Sequence, residues 1–111
     1  MKAQERDEGG ILVITLRQPR LDASSAVEFG ALLARAIGDR QTRILVDMQE
    51  IQFIDSSGLG AMASVRKKMG DRGRLAFCAQ SQQARRMLAL TRMDRVLELH
   101  DTAEQAIAAL K

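Results

Sequence analysis

Residues 43–60 read RILVDMQEIQFIDSSGLG and contain the transition that decides the fold. The run 43–47 brings three aliphatic side chains together, which is typical of a strand buried on both faces of a parallel sheet. After a more polar loop, apolar residues recur at helical spacing over residues 57–69 and stop at Gly70. The stretch therefore predicts a central strand, a loop beyond its carboxyl end, and a helix.

The same alternation of strand and helix patterns continues on both sides of this stretch. Short apolar runs predict strands at 43–47, 75–79 and 96–99. Amphipathic spacing predicts helices at 26–37, 57–69, 84–91 and 103–110. Strands that alternate with helices imply right-handed crossovers and parallel pairing.

The first part of the chain departs from this alternation. Residues 2–6 and 11–17 are predicted to pair as an antiparallel hairpin across Asp7-Glu8-Gly9-Gly10. We therefore expect an α/β layered fold with a mostly parallel central sheet of four to five strands, an N-terminal antiparallel hairpin and four helices. No linker or repeat interrupts the pattern, so residues 1–111 are predicted to form a single domain.

Two helix starts resemble capping boxes. In each, a hydroxyl can accept a backbone N–H, and an acidic or amide side chain stands three residues later: Ser25 with Glu28, and Thr102 with Gln105. Both helices are therefore predicted to begin directly after the hydroxyl residue.

Composition excludes several classes of protein. The 46% apolar content of 111 residues suffices for one core, and no apolar run approaches the roughly eighteen residues of a membrane span. The polar first residues do not resemble a secretory signal, so we expect a cytoplasmic protein without membrane contact. A lone cysteine, Cys78, and a lone histidine, His100, provide neither an internal disulfide nor a zinc ligand set. We expect no metal and no cofactor.

Charge is unevenly distributed along the chain. Residues 1–60 carry 7 basic and 9 acidic side chains, a net charge of −2, whereas residues 61–111 carry 10 basic and 5 acidic, a net charge of +5. The chain has no tryptophan or tyrosine for base stacking and no helix-turn-helix signature. Direct nucleic-acid binding is therefore not expected, and Arg66-Lys67-Lys68 is interpreted as a solvated helix end.

The start of the helix over 57–69 is unusual for its composition. Any of Asp55, Ser56 and Ser57 could cap the unpaired N–H groups of the first turn. Gly58 and Gly60 each lower helix propensity by up to about 1 kcal/mol, yet they leave the surface open to a close neighbour. A helix selected for stability alone would avoid both glycines.

Residues 44–60 resemble the signature of STAS domains, in particular bacterial anti-sigma factor antagonists, in which a strand ending in Asp leads to D-S-S/T-G-L-G. The segment 19–25, PRLDASS, is similar to the Leu-Asp turn of that family, and the order of elements agrees over nearly the whole chain. The resemblance implies a STAS-like layered fold.

The resemblance also implies a function and a set of site residues. In the family, the first serine of the motif, here Ser56, is phosphorylated by a partner that is both anti-sigma factor and serine kinase, and a phosphatase removes the phosphate. Ser57 is the alternative acceptor. By the same alignment, the residues implied in partner binding are Asp22, Asp55, Ser57, Gly58, Leu59 and Gly60.

The chain is accordingly expected to be a non-enzymatic anti-sigma factor antagonist that binds its partner when unmodified and releases it when phosphorylated. Members of this family are often acidic, whereas this chain has a net charge of +3, so its basic second half is expected to meet an acidic partner surface. The alternative is a STAS docking subunit of a transporter or stress-sensing assembly without a phosphoswitch.

A serine hydrolase would require other residues. Ser56 stands in D-S-S-G rather than G-x-S-x-G, and His100 has no evident third member of a catalytic triad. The structural alternative for Ser56 and Ser57 is a helix cap, and the same holds for Asp22 before the first helix.

Overall fold

A computed structural model describes all residues from Met1 to Lys111. Eleven strands and helices follow one another in the order β1 (Ala3–Glu8), β2 (Ile11–Leu16), β3 (Arg20–Leu21), α1 (Ala26–Gly38), β4 (Arg43–Asp47), β5 (Phe53–Ile54), α2 (Ser56–Met69), β6 (Arg74–Cys78), α3 (Gln82–Leu90), β7 (Glu98–His100) and α4 (Ala103–Leu110). Short 3-10 turns follow α2 at Gly70–Arg72 and α3 at Met93–Arg95. No helix of the chain combines the length and the hydrophobicity that crossing a bilayer requires.

The main sheet has the strand order β1-β2-β4-β6-β7. β1 and β2 pair antiparallel, and every other neighbouring pair is parallel. β4 is thus the middle strand, as its apolar run predicts. The expected α/β fold, with five strands, an N-terminal hairpin and four helices, is confirmed.

The sheet is covered on both faces because the side chains of β4 alternate between two apolar clusters. Ile44 and Val46 pack with buried residues of α1, α2 and α3. Leu45 packs on the opposite face with Ala106 and Leu110 of α4. Full burial of one such side chain contributes roughly 1.5–3 kcal/mol, which explains why the continuous apolar run lies at the centre of the sheet.

Turn chemistry sets the ends of the first and last strands. The hairpin turn contains only Gly9 and Gly10, whose φ angles of 61° and 89° lie in the region that glycine adopts at little cost. β1 therefore extends through Glu8, beyond the predicted 2–6. β7 starts two residues later than predicted because the N–H groups of Val96 and Leu97 both donate to the Met93 carbonyl (3.1 and 2.8 Å) and so belong to the turn after α3.

Of the two predicted capping boxes, one is confirmed in its hydroxyl cap and the other is wrong. The Gln105 N–H donates to Thr102 Oγ1 (3.1 Å) at the start of α4. At the start of α1, Ser25 precedes the helix but makes no side-chain cap. Its hydroxyl accepts the N–H of Asp22 instead (3.1 Å), because the preceding turn folds back on it.

A second, two-stranded parallel sheet joins β3 to β5, with Arg20 opposite Phe53 and Leu21 opposite Ile54. The sequence predicted neither strand. This pair brings the turn before α1 against the loop before α2, two segments that lie far apart in the chain.

Candidate functional site

Ser56 is the first residue of α2 and its side chain is exposed, as is that of Ser57. Asp55, rather than either serine, caps the helix: the Gly58 N–H donates to Asp55 Oδ1 (2.9 Å). The Leu59 N–H donates to the Asp55 carbonyl (3.0 Å), which starts the helical pattern. Neither serine hydroxyl therefore caps the helix, and both face solvent.

The turn that contains Asp22 lies directly beside this helix start. The Asp55 N–H donates to the Leu21 carbonyl (3.3 Å), and the Ala23 N–H donates to Asp55 Oδ2 (3.3 Å). One carboxylate oxygen of Asp55 thus accepts a hydrogen bond from α2, and the other accepts one from the turn that contains Asp22. The structure brings together the two segments that the sequence analysis singled out.

Asp22 is held in place by its own neighbours. Ser24 Oγ donates to Asp22 Oδ1 (2.7 Å), and Arg20 Nε donates to Asp22 Oδ2 (3.2 Å). The hydrogen bond from the Ser24 side chain, with smaller contributions from Arg20 and the Ser24 N–H, lowers the pKa of the Asp22 carboxyl below its usual value. The turn therefore presents a fixed negative charge next to the helix start.

Residues 58–60 divide into two buried positions and one exposed position. A Cβ atom on Gly58 would lie 2.3 Å from the Leu21 carbonyl oxygen, so the close approach of β3 requires glycine there. Leu59 is only 6% exposed and packs in the core, so neither residue offers side-chain surface to another protein. Gly60 is exposed and a Cβ there would meet nothing within 4 Å.

This arrangement of elements, with the D-S-S-G-L-G segment at the start of α2, agrees with a comparison against protein families. The model of the STAS domain matches residues 2–106. The chain belongs to the STAS domain family. Among curated STAS relatives, the anti-sigma-F factor antagonist RsfB of Mycobacterium tuberculosis is 22% identical over 105 residues, which cover 95% of this chain and 85% of the relative.

Solved STAS structures share the fold. An anti-sigma factor antagonist from Mycobacterium paratuberculosis superposes with a TM-score of 0.91 at 22% identity, over 98% of this chain and 92% of that chain. The Bacillus cell fate determinant SpoIIAA in its phosphorylated form superposes with a TM-score of 0.71 at 22% identity, over 99% of this chain and all of the other. At these identities the likeness shows the fold alone.

Several residues around the helix start of this STAS domain were missed by sequence reasoning. The guanidinium of Arg20 stacks on the Phe53 ring, 4.5 Å from its centroid. Ser81 and Gln83, at the start of α3, hydrogen-bond to the backbone of Gln52 and Ile54. A two-residue strand is too short to show alternation of apolar and polar residues, and glutamine is common on exposed helix turns. No sequence pattern could therefore have indicated these contacts.

The remaining reactive groups of the STAS domain lie elsewhere. Cys78 is buried in β6, where its thiol donates to Asp47 Oδ1 (3.4 Å). Burial, followed by the charge of Asp47, raises the pKa of the Cys78 thiol to about 12, so the thiolate that reacts with oxidants is scarce near neutral pH. No group of three or more His, Cys, Asp and Glu side chains could hold a metal ion.

Proposed function

We propose that this STAS domain is an anti-sigma factor antagonist, and that its unmodified form binds an anti-sigma factor with serine kinase activity and frees the sigma factor. Phosphorylation of Ser56 then releases the partner, and a phosphatase resets the switch. The observation that carries the proposal is the exposed Ser56 hydroxyl at the first residue of α2, next to a cap that does not use it. RsfB and the M. paratuberculosis neighbour, both named as antagonists, support the same class of partner.

The helix start can accept a phosphoryl group without rearrangement. Asp55 satisfies the N–H groups of Gly58 and Leu59, whereas those of Ser56 and Ser57 have no acceptor within the chain. A phosphoryl group adds a charge of about −1.5 to −2 and three acceptor oxygens at a helix end that favours anions. The domain itself should therefore change little on modification.

The same group is unfavourable inside a partner interface. A surface fitted to a neutral hydroxyl must accommodate extra volume and desolvate an unpaired charge. A loss of about 3 kcal/mol would reduce affinity roughly a hundredfold, since about 1.4 kcal/mol corresponds to a factor of ten.

The surface proposed to meet the partner surrounds the acceptor. It consists of the exposed Ser57 and Gly60 and of the half-buried Asp22, whose side chain is 19% exposed. The open space over Gly60 supports a close contact there, because nothing within the chain requires glycine at this position. Gly58, Leu59 and Asp55 contribute indirectly, because they fix the conformation of the helix start. The proposed binding to a transcriptional regulator would take place in the cytoplasm.

Labelling with candidate ATPase-type anti-sigma kinases from the same genome tests the proposal. Mass spectrometry should find one phosphate on Ser56, and Ser56→Ala should abolish it while preserving binding. Ser57→Ala is the matched control, because both hydroxyls are exposed and adjacent. Modification that survives in Ser56→Ala and disappears in Ser57→Ala would move the acceptor to Ser57.

The same assay decides between this function and docking within a transporter or stress-sensing assembly. A docking subunit would bind its partner with equal affinity before and after incubation with kinase and ATP. Loss of partner binding that coincides with the appearance of the Ser56 phosphate would exclude that alternative.

A further inference from the structure

Gln83 uses its side-chain amide to pair with both backbone groups of Ile54. The Ile54 N–H donates to Gln83 Oε1 (3.1 Å), and Gln83 Nε2 donates to the Ile54 carbonyl (3.3 Å). The two residues are separated by 29 positions in the chain. Ile54 immediately precedes the cap residue Asp55, so this contact holds the backbone one residue before the start of α2.

The position of β5 explains why such a contact is needed. On one side β5 pairs with β3, where the Phe53 N–H donates to the Pro19 carbonyl (3.1 Å) and the Asp55 N–H to the Leu21 carbonyl (3.3 Å). The backbone groups of Ile54 point to the other side, which has no neighbouring strand. The Gln83 amide supplies there one donor and one acceptor, as a peptide group of a third strand would.

Ser81 completes this edge. Its hydroxyl accepts the Ala84 N–H (3.0 Å) as the cap of α3 and donates to the Gln52 carbonyl (3.2 Å). The Gln52 carbonyl and both backbone groups of Ile54 are thus satisfied by the side chains of Ser81, the N-cap of α3, and Gln83 in its first turn. α3 is itself held in the core by the buried side chains of Ala84 and Leu88. The loop before α2, residues 52–55, is therefore hydrogen-bonded to a helix that is packed in the core.

We propose that Gln83 is a positioning residue for the phosphorylation of Ser56. This inference rests on the proposed function, since it assigns to Gln83 the task of holding the acceptor hydroxyl in the geometry that the kinase requires. Phosphoryl transfer depends on alignment of the attacking oxygen, and a displacement of about 1 Å can reduce the rate by a factor on the order of a hundred. Gln83 itself need not touch the partner.

The test compares Gln83→Met with Gln82→Met. Methionine keeps the length and helix propensity of glutamine but removes both hydrogen-bonding groups. Gln82 is the matched control, because it is the exposed preceding residue of α3 and its side chain makes no hydrogen bond. Gln83→Glu is a second variant, which keeps an acceptor for the Ile54 N–H and sets a carboxylate against the Ile54 carbonyl.

Two measurements are made on each full-length variant. Amide hydrogen exchange by NMR should show the Ile54 N–H exchanging about tenfold faster in Gln83→Met, because loss of such bonds shifts a local opening equilibrium by about that factor. Exchange of the β4 amides should not change. With the kinase that modifies the wild-type chain and labelled ATP, kcat for Ser56 should fall about tenfold with KM within about twofold. The Gln82→Met variant should match the wild type in both measurements.

Each outcome separates the two claims. Faster Ile54 exchange with an unchanged kcat would overturn the positioning role, and unchanged exchange would overturn the contact itself. A wild-type chain that no kinase modifies would overturn the proposed function and with it the role of Gln83 in phosphorylation, while the exchange data would still report whether Gln83 holds the segment. A fall in kcat for Gln82→Met equal to that for Gln83→Met would also reject the proposal.

Discussion

The first turns of α2 and α4 both follow a capping side chain, but they are built from different residues. After Thr102, α4 opens with Ala103 and Glu104, a good helix former and an acidic residue that suits the positive end of the helix dipole. After Asp55, α2 opens with two serines and two glycines and has no acidic side chain in its first turn. Stability alone accounts for the start of α4, whereas the start of α2 also accommodates a close backbone approach and an open surface.

Gly58→Ala should give the largest effect and would test the close approach. Because the added Cβ would lie 2.3 Å from the rigid Leu21 carbonyl oxygen, we expect the free energy of unfolding to fall by about 3 kcal/mol, the upper end for an overpacked site. Urea denaturation of the variant and the wild type measures this. In an ordinary helix the same substitution would add up to about 1 kcal/mol, so a gain in stability would contradict the packing of β3 on α2.

Asp55→Ala should follow, with a loss of about 2 kcal/mol, because it removes an N-cap and the bond to the Ala23 N–H together. Asp55→Asn is the control: its single carbonyl oxygen can replace only one of the two carboxylate acceptors, so its loss should be about half as large. Thermal and urea unfolding measure both variants. Equal losses in the two would mean that charge, rather than the two hydrogen bonds, holds the helix start.

Thr102→Ala should reduce the free energy of unfolding by about 1 kcal/mol, the ordinary value of one hydroxyl cap. Under the proposed function, phosphorylation of Ser56 should continue at the wild-type rate, because α4 packs on the opposite face of the sheet. A kinase assay run beside the urea titration checks both statements. A large fall in phosphorylation in this variant would remove the contrast between the two helix starts.

Gly60→Ala should have the opposite sign to Gly58→Ala. With nothing within 4 Å of the added Cβ, the substitution should raise the free energy of unfolding by about 0.5–1 kcal/mol through helix propensity. Under the proposed function the same variant should bind its partner more weakly, which isothermal titration calorimetry can measure. Higher stability with unchanged affinity would show that the partner does not approach this position.

The smallest effect concerns the pH dependence of stability. The pKa of Asp22 is lowered in the folded chain, so its stabilising contribution is complete above the ordinary value of 3.8 and is lost as the pH falls through the lowered folded value. Asp22→Asn should therefore lose less stability between about pH 5 and pH 2 than the wild type. Urea midpoints across this range measure the difference, and parallel curves would contradict it.

Local patterns predicted those parts of the molecule whose structure depends on local physics. The apolar run of β4 and the helical spacing of α2 predicted the centre of the sheet and the helix that follows it, because burial follows directly from periodicity. Ser25 was misread as a helix cap because the Asp22 turn competes for the same hydroxyl. Only the folded turn shows which donor reaches that hydroxyl.

The contacts that hold the loop before α2 could not be predicted from the sequence. β3 and β5 have two residues each, so their pairing has no alternating pattern. Gln83 joins Ile54 across 29 residues, and its residue type and exposed position are ordinary for a helix surface. The motif therefore predicted where the candidate site begins, whereas tertiary structure determines how it is supported.

Asp55 accepts hydrogen bonds from Gly58 in its own segment and from Ala23, which lies 32 residues away in the chain. Under the proposed function, the kinase would consequently recognise a discontinuous epitope rather than a linear peptide. A nascent or unfolded chain would lack half of that epitope and would be a poor substrate. Only folded molecules would then be phosphorylated. The fraction of phosphorylated protein would therefore report on molecules that are able to bind the partner.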